Sequence, residues 1–278
     1  MTDLETRFER MKESLRGMRR VAVAFSAGVD STFVLKAACD ALGVENVVAV
    51  TGRSDSVAEA ELEAAARIAA DLGVRHVVLA TQEFENPQYL ANPTNRCYFC
   101  KTELYTKLGE FVRAEGYHAV VNGVNADDLS DHRPGLLAAR EHGVRAPAAE
   151  AGLGKADIRE LSRRLGLSTA EKPASPCLSS RVQYGEEITP EKLRRIERAE
   201  ALLHELGFGE CRVRHHGPLA RIEVPGDRLE ELLRPELRRR IDAGLRELGF
   251  LYVTADLGGL SSGSMNRVIA FGRVQPPV

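Results

Sequence analysis

The stretch that decides the fold is Val21-Ala22-Val23-Ala24-Phe25, followed directly by the loop Ser26-Ala27-Gly28-Val29-Asp30-Ser31 and by a helical pattern from Thr32 to Leu42. A buried strand, a tight loop and a helix in this order present backbone N–H groups at the helix N-terminus to an anion. The two serines add hydroxyl groups, and Gly28 allows a close backbone approach that a side chain would block. We therefore expect this loop to bind phosphate. The alternative is an ordinary turn in which Asp30 caps the helix.

Around this loop, short apolar runs alternate with helical patterns. The further runs are Asn46 to Val50, His76 to Ala80 and His118 to Asn122. Continuous apolar runs of this length are typical of buried parallel strands. A helical pattern separates the second and third runs and ends at Gly73, where a glycine stop is expected. The alternation predicts an α/β domain with a parallel sheet, whose ligands bind beyond the carboxyl ends of the strands.

The pattern changes in the last third of the chain. A helix from Leu4 to Met18 opens the α/β domain, whereas from Thr189 the order is helix, two strands, helix, strand. The second of these helices is expected from Asp227 to Leu248. We predict two domains, residues 1–180 with the α/β sheet and a smaller α+β domain over residues 181–278, joined by a loop rich in Pro, Ser and Gly.

Composition and charge exclude several classes of protein. The chain has 278 residues, with 38 Lys and Arg against 40 Asp and Glu, and a net charge of −2. This balance gives no global basic field for nucleic acid or anionic lipid. No run approaches the ~20 apolar residues of a membrane helix, and the charged N-terminus lacks the apolar core of a signal peptide. We expect a cytoplasmic protein that binds neither nucleic acid nor membrane.

A second polar loop, Asn122-Gly123-Val124-Asn125-Ala126-Asp127-Asp128, follows the fourth strand at the same edge of the sheet. Adjacent carboxylates at such a position are ligands that Mg²⁺ prefers around a phosphate. The alternative is a pair of acids that complements a helix N-terminus.

The cysteines provide a third chemical signal. Cys97 and Cys100 form a C-x-x-C pair, which converges two thiols on one metal, and Cys177 lies in Ser175-Pro176-Cys177-Leu178-Ser179-Ser180-Arg181. Three thiols without a fourth suggest a 4Fe–4S cluster with one iron open to another ligand. Cys177 is also a candidate nucleophile, since a neighbouring cation favours thiolate. Cys39 and Cys211 are expected to be small buried hydrophobic residues.

A candidate anion site lies in the smaller domain. Arg212 and Arg214 alternate on a predicted strand, so both point to one face. With Ser180 and Arg181 they could clamp an anion through planar bidentate contacts, the alternative being a solvated basic face. His215 and His216 follow and are expected to be exposed.

Several of these motifs resemble known families. Ser26–Ser31 resembles the PP-loop motif S-G-G-x-D-S of the N-type ATP pyrophosphatases, which cleave ATP between the α and β phosphates, with Ala27 in place of one glycine. That loop together with RCYFCK, NGVNADDLSDHRPG, SPCLSSR, RVRHHGPLARIEV and SGSMN resembles the LarE family of ATP-dependent sulfur transferases. The blocks run in order from Ser26 to Asn266, so the resemblance covers nearly the whole chain.

The resemblance implies a Rossmann-like sheet, Mg-ATP, and a pyridinium nucleotide as substrate. A carboxylate of pyridinium-3,5-biscarboxylic acid mononucleotide is adenylated, and sulfur then replaces AMP on the way to the nickel-pincer cofactor of lactate racemase. The ATP-binding residues would be Ser26, Gly28, Val29, Asp30, Ser31, Gly123, Asn125 and Asp127. The substrate phosphate would bind to Ser180, Arg181, Arg212 and Arg214. Asp128 would hold Mg²⁺, and Glu200, Glu223 and Asp227 a second divalent ion.

The family delivers sulfur in two ways. In one, the cysteine matching Cys177 gives up its own sulfur and becomes dehydroalanine; in the other, three cysteines hold a 4Fe–4S cluster that carries sulfide. Because Cys97 and Cys100 accompany Cys177, we predict the cluster and an external sulfide donor. The resemblance to the family also implies a homo-oligomer, specifically a hexamer.

Two other functions stay open at this point. A PP-loop tRNA thiolase also combines adenylation with a C-x-x-C pair, but the neutral charge and the lack of a basic, aromatic-interleaved surface disfavour it. A nucleotide- or Fe–S-binding module without turnover would release neither AMP nor pyrophosphate.

Overall fold

The computed structural model describes residues 2–130, 134–261 and 263–270. Ser262 and residues 131–133, which belong to two of the motifs above, lie outside the described residues. The helices are α1 (Asp3–Met18), α2 (Val29–Leu42), α3 (Glu59–Asp71), α4 (Pro87–Leu90), α5 (Arg96–Glu115), α6 (Pro134–Glu141), α7 (Pro147–Glu150), α8 (Lys155–Arg164), α9 (Pro190–Glu205), α10 (Leu229–Leu232), α11 (Pro235–Glu247) and α12 (Arg267–Ala270). The strands are β1 (Val21–Ala24), β2 (Val47–Arg53), β3 (Arg75–Ala80), β4 (Ala119–Val121), β5 (Arg212–His216), β6 (Leu219–Glu223) and β7 (Tyr252–Ala255).

The chain divides into two compact units. The first consists of Met1–Glu83 and Cys97–Ser175, and the second of Phe84–Arg96 and Pro176–Val278. The segment Phe84–Arg96 was expected in the first domain. It belongs to the second unit because its backbone pairs there: the amide of Ile188 donates to the carbonyl of Leu90.

The first unit contains a four-stranded parallel sheet in the order β3-β2-β1-β4. All four strands end at one edge, so the loops that follow β1 and β4 are neighbours there. The expectation of a Rossmann-like α/β sheet is confirmed.

Helices cover both faces of the inner strands β1 and β2, which explains why these strands are mainly apolar. Val21 and Val23 of β1 pack on one face against side chains of α1, α2 and α8. Ala22, on the other face, belongs to the core formed with Tyr105 and Leu108 of α5. Val21, Ala22 and Val23 of β1 are fully buried, and the carboxyl end of β1 leads directly into the phosphate loop.

The second unit contains the three-stranded sheet β5-β6-β7, with β5 and β6 antiparallel and β6 and β7 parallel. One face packs Val213 and Ile222 against α9 and α11. In the β5–β6 register, Arg212 lies opposite Glu223 and Arg214 opposite Arg221. The face away from the helical core is therefore strongly charged.

The predicted helix over Asp227–Leu248 is wrong in one respect. The structure forms two helices, α10 and α11, and Pro235 occupies the first turn of α11. Proline has no N–H and clashes with the preceding turn inside a helix, but it fits the first helical position. A helix that could cross a bilayer is absent from the described part of the chain.

Candidate active site

The phosphate loop joins β1 to α2 as the sequence predicts. Gly28 is the N-cap of α2, and no side chain accepts a hydrogen bond there. Asp30 lies inside the first turn, so the alternative in which Asp30 caps the helix is wrong. The N-terminus of α2 therefore presents its backbone N–H groups without a side-chain cap.

Two serines tie the ends of this loop together. The Ser26 and Ser31 hydroxyl oxygens are 3.1 Å apart, and the Ser26 amide donates to Ser31 Oγ at 3.3 Å. Ser26 is exposed whereas Ser31 is buried. The Thr32 hydroxyl, also buried on the first turn, has no hydrogen-bond partner among the described residues.

Ala27 occupies the position of the first of the two glycines in the S-G-G-x-D-S motif. Its φ of +54° is in the left-handed region, and its side chain is fully buried. An L-residue pays about 1 kcal/mol there. The loop thus keeps the backbone conformation of a glycine at the cost of local strain.

The second polar loop packs directly on the first turn of α2. A Cβ on Gly123 would lie 2.6 Å from the Ser31 amide nitrogen, so only glycine fits. The Asn125 amide Nδ2 donates to Asp30 Oδ1 at 3.3 Å. The structure therefore brings together the predicted ATP-binding residues of the two loops.

Asp127 and Asp128 each hold backbone amides. Asp127 Oδ2 accepts from the Lys155 amide at 2.7 Å, at the start of α8, and Asp128 Oδ2 accepts from the Asn125 amide at 3.1 Å. These contacts order the second loop. Asp127 complements the N-terminus of α8, which fits the capping alternative for that residue.

Two lysines at this site were missed by the sequence analysis. Lys155 Nζ forms an ion pair with the Asp30 carboxylate. Lys172 Nζ donates to the Ala27 carbonyl at 3.1 Å and to Glu61 Oε2 at 2.6 Å. No local signal identifies them, because 125 and 145 residues separate them from their loop partners.

The cysteines divide into two groups. Cys97 and Cys100 lie in the first turns of α5, three residues apart and so on one helical face; Cys97 is exposed and Cys100 half-buried. Cys177 is half-buried and precedes a one-turn helix at Leu178–Arg181. Burial raises the pKa of Cys39 to about 11 and that of Cys211 to about 12, which agrees with their expected role as buried hydrophobic residues.

The described residues contain no group of three or more His, Cys, Asp or Glu side chains that could hold a metal ion. Cys97 and Cys100 belong to the first unit and Cys177 to the second. The three-cysteine cluster stays a prediction.

Two buried ion pairs organise the charged face of the second unit. Arg181 binds Glu200 through two hydrogen bonds of 3.0 Å, and Arg214 binds Glu223 Oε2 at 2.7 and 3.0 Å. Ser180 lies between the two pairs: its Oγ accepts from Arg181 at 3.1 Å and its carbonyl from Arg214 at 3.2 Å. Three of the four predicted phosphate-binding residues are thus in contact.

Arg181 and Arg212 add two features to this face. Arg181 Nη1 donates to the Cys177 carbonyl at 3.0 Å, which fixes the backbone that carries the predicted sulfur-transferring thiol. Arg212 is half-buried, and its pKa is lowered by burial and by the charge of Arg181.

The three predicted metal-binding acids do not form one group among the described residues. Glu200 and Glu223 each bind a different arginine, whereas Asp227 is exposed in the one-turn helix Gly226–Arg228. The buried acids balance the arginines of the charged face.

The prediction of exposed histidines is wrong. His215 is 2% exposed, packs on Phe250 with ring centroids 5.6 Å apart, and has Nδ1 3.0 Å from Glu186 Oε1. His216 accepts from Arg221 and pairs with Gln183 Oε1 at 2.7 Å. Burial lowers the pKa of both imidazoles. The strand period places His215 on the core side with Val213.

The chain is similar to proteins from other organisms. No protein-family model matches the chain. An uncharacterized protein of Synechocystis is 47% identical over 96% of this chain and 99% of its own length. An uncharacterized protein of Methanocaldococcus jannaschii is 28% identical over 78% of this chain and 82% of its own length.

A third relative has a named activity. The pyridinium-3,5-bisthiocarboxylic acid mononucleotide synthase of Lactiplantibacillus plantarum is 39% identical over 96% of both chains. Identity at this level over nearly the full length, together with the fold and the ordered motifs, shows that the protein belongs to the LarE family.

Proposed function

We propose that this protein is an ATP-dependent sulfur transferase. It would convert the carboxylates of pyridinium-3,5-biscarboxylic acid mononucleotide into thiocarboxylates for the nickel-pincer cofactor of lactate racemase. The activity of the L. plantarum relative supports the product. The observation that carries the ATP dependence is the uncapped N-terminus of α2, which is bordered by two serine hydroxyls and by Gly123.

The chemistry requires a leaving group, because a carboxylate does not accept sulfur directly. A carboxylate oxygen of the substrate attacks the α-phosphorus of ATP, the bond to the bridging oxygen breaks, and pyrophosphate leaves. A sulfur nucleophile then attacks the acyl carbon, and AMP leaves as the C–O bond breaks. Backbone N–H groups of the phosphate loop stabilise the charge on the departing pyrophosphate.

Mg²⁺ would neutralise further phosphate charge when bound. Asp128, a carboxylate at the edge of the sheet, has the oxygen chemistry that this ion prefers. Asp127 and Asn125 order the loop around it through backbone contacts.

The substrate phosphate would bind to the charged face of the second unit. Arg212 and Arg214 lie on one side of β5, and Arg181 contacts the Ser180 side chain. Guanidinium groups bind phosphate through paired planar hydrogen bonds. Buried pairing with Glu200 and Glu223 holds Arg181 and Arg214 in position for that contact.

Sulfur delivery would depend on Cys97, Cys100 and Cys177. Two thiols on one face of α5 fit two ligands of an iron–sulfur cluster, and Cys177 would be the third. When bound, the cluster would supply the transferable sulfide, replenished by an external donor. Thiols in this role need a reducing compartment, and so we place the reaction in the cytoplasm. We further propose that the protein acts as a homo-oligomer.

Adenylation and sulfur delivery can be tested separately. We expect Cys177→Ala to release AMP and pyrophosphate with substrate, yet to form no thiocarboxylate, whereas Cys39→Ala retains both activities. Thiocarboxylate formation by the Cys177 variant would contradict the role of this thiol. If the wild-type protein releases no AMP in the presence of ATP and substrate, the proposed ATP dependence is wrong.

The cluster has its own test. Anaerobic reconstitution should give about four irons per chain and broad absorbance near about 400 nm in the wild type and in Cys39→Ala, but not in Cys100→Ala. If the wild-type protein contains no iron and Cys177 loses the mass of H₂S after turnover, the cluster hypothesis is wrong. Cys177 would then be a sacrificial sulfur donor.

A further inference from the structure

The one-turn helix Ser264–Asn266 has no role in the proposed mechanism, although two of its side chains are buried in the second unit. Gly263 precedes it with φ +70°, in the left-handed region. Ser264 is 5% exposed and Met265 8% exposed. Met265 Sδ lies 3.3 Å from Nη2 of Arg221, which is a residue of β6. The turn therefore contacts the charged face of the second unit.

The hydroxyl of Ser264 lies between the two members of a buried ion pair. Its oxygen accepts a hydrogen bond from Arg214 Nη2 at 3.1 Å and donates to Glu223 Oε1 at 2.7 Å. One hydroxyl can make both contacts, because it carries a donor and two acceptor lone pairs. Glu223 is fully buried and Arg214 is 6% exposed. The three side chains thus form a closed ring of hydrogen bonds away from bulk water.

The geometry of this ion pair shows why the hydroxyl is needed. In the neighbouring pair, Arg181 donates from Nε to Oε1 and from Nη2 to Oε2 of Glu200, both at 3.0 Å. Two parallel bonds to two oxygens fix the plane of a guanidinium. Arg214 instead donates from both Nε and Nη2 to one oxygen, Oε2 of Glu223. A guanidinium on a single oxygen can pivot about it, and the contact with Ser264 removes that freedom.

The fixed guanidinium of Arg214 keeps one donor for a ligand. An arginine has five N–H donors. Nε and Nη2 of Arg214 use three of them on Glu223 and Ser264, and Nη1 uses one on the Ser180 carbonyl at 3.2 Å. Within the part of the chain that the structure describes, the second N–H of Nη1 has no acceptor. This donor is on the nitrogen that contacts Ser180.

We propose that Ser264 is a positioning residue for the substrate phosphate. It holds the Arg214 guanidinium so that the remaining N–H of Nη1 binds a phosphate oxygen beside Ser180. The proposal rests on the proposed function, in which Arg214 and Ser180 bind this phosphate. Arg181 needs no equivalent serine, because its two-oxygen pairing with Glu200 already fixes its plane.

Kinetics and binding distinguish this role from a merely structural one. With saturating ATP, we expect Ser264→Ala to raise the KM for pyridinium-3,5-biscarboxylic acid mononucleotide about fivefold to tenfold and to change kcat by less than about twofold, measured by AMP release. Isothermal titration calorimetry compares the mononucleotide with the nucleoside that lacks the phosphate. The variant should bind the mononucleotide more weakly by the same factor, and the nucleoside within about twofold of the wild type.

Ser264→Cys keeps nearly the same shape with a weak donor, and it should weaken mononucleotide binding even where the alanine variant does not fold. Thr254→Val is the matched control, because the Thr254 hydroxyl donates to the Ala220 carbonyl in the same sheet. It should bind both ligands as the wild type does.

Two results would overturn the role of Ser264. One is wild-type affinity of the folded Ser264 variants for the mononucleotide. The other is equal weakening of mononucleotide and nucleoside binding, since the hydroxyl would then only stabilise the unit. If the wild-type protein binds the nucleoside as tightly as the mononucleotide, the proposed phosphate site itself is wrong, and this role with it.

Discussion

At the scale of single residues, the phosphate loop shows how a motif tolerates one substitution. Ala27 adopts φ +54° and is fully buried, so the loop accommodates a methyl group where the motif has a glycine. The departure from the glycine motif is visible in the sequence. The left-handed conformation of Ala27 could not be predicted from the sequence, because an alanine gives no signal for that region.

Substitutions at Ala27 test this strain. We expect Ala27→Val to lower the free energy of unfolding by about 2–4 kcal/mol, since a β-branched side chain is strained at positive φ and overfills the site. Ala27→Gly should change it by less than about 1 kcal/mol, because relief of strain is offset by backbone entropy and a lost methyl contact. Chemical denaturation measures both, and equal stability of the valine and glycine variants would refute the strained conformation.

Gly123 tests the contact between the two loops. A Cβ there would lie within 3 Å of the Asp30 and Ser31 backbone, at 2.6 Å from the nearest atom. We expect Gly123→Ala to cost about 1–3 kcal/mol of stability and to weaken ATP binding.

Gly17→Ala is the control for that substitution. Gly17 lies in α1, and among the described residues no atom beyond its chain neighbours and its own helix backbone comes within 4 Å of the Cβ position. This variant should unfold at the same or a slightly higher denaturant concentration than the wild type. If Gly123→Ala behaves in the same way, the close approach of the loops is not a constraint.

At the scale of elements, the strands and several of the longer helices are predictable because their apolar residues recur at a local period. The opening helix, the four parallel strands and the three strands of the second unit follow from that period, whereas the break between α10 and α11 at Pro235 does not. Contacts between distant elements have no such signal. Lys155, Lys172 and the arginine–glutamate pairs were therefore not found as partners before the structure.

Removal of the buried Glu223 carboxylate from the β5–β6 pair is expected to cause a large loss of stability. Glu223 is fully buried and binds Arg214, Arg221 and the Ser264 hydroxyl. Glu223→Ala should lower the free energy of unfolding of the second unit by about 3–5 kcal/mol, because a buried arginine loses its partner. Asp242→Ala removes an exposed pair with Arg246 and should cost less than about 1 kcal/mol. Similar costs in denaturant titrations would contradict the buried pair.

The histidines of β5 predict a dependence on pH. Burial, followed by the charge of Arg221, lowers the pKa of His216 from 6.5, although Glu186 acts in the opposite direction. The unfolded chain then binds more protons below about pH 6.5, so stability falls as the pH falls through that value. Between about pH 7.5 and 5.5, His216→Gln should lose less stability than the wild type. Identical losses of stability in the two proteins would show that His216 does not cause the dependence on pH.

At the scale of the whole molecule, the cysteines separate into buried thiols and thiols that are at least partly exposed. Cys97 is exposed, Cys100 and Cys177 are half-buried, and Cys39 and Cys211 are buried with raised pKa values of about 11 and 12. The sequence predicted this division from spacing.

Thiol labelling checks this division. With native, metal-free protein at about pH 8, iodoacetamide should modify Cys97, Cys100 and Cys177 but leave Cys39 and Cys211 unmodified until the chain unfolds. Peptide mass spectrometry identifies the modified residues. Labelling of Cys39 or Cys211 as fast as Cys177 would show that burial does not control reactivity here.

The most direct test of the account is detection of the thiocarboxylate product. The anaerobically reconstituted protein is incubated with ATP, Mg²⁺, sulfide and pyridinium-3,5-biscarboxylic acid mononucleotide, and the nucleotide is analysed by mass spectrometry. We predict a product in which sulfur replaces a carboxylate oxygen, formed with AMP and pyrophosphate and only in the presence of ATP. An unchanged nucleotide under these conditions, from a protein that binds ATP, would contradict sulfur transfer as the function.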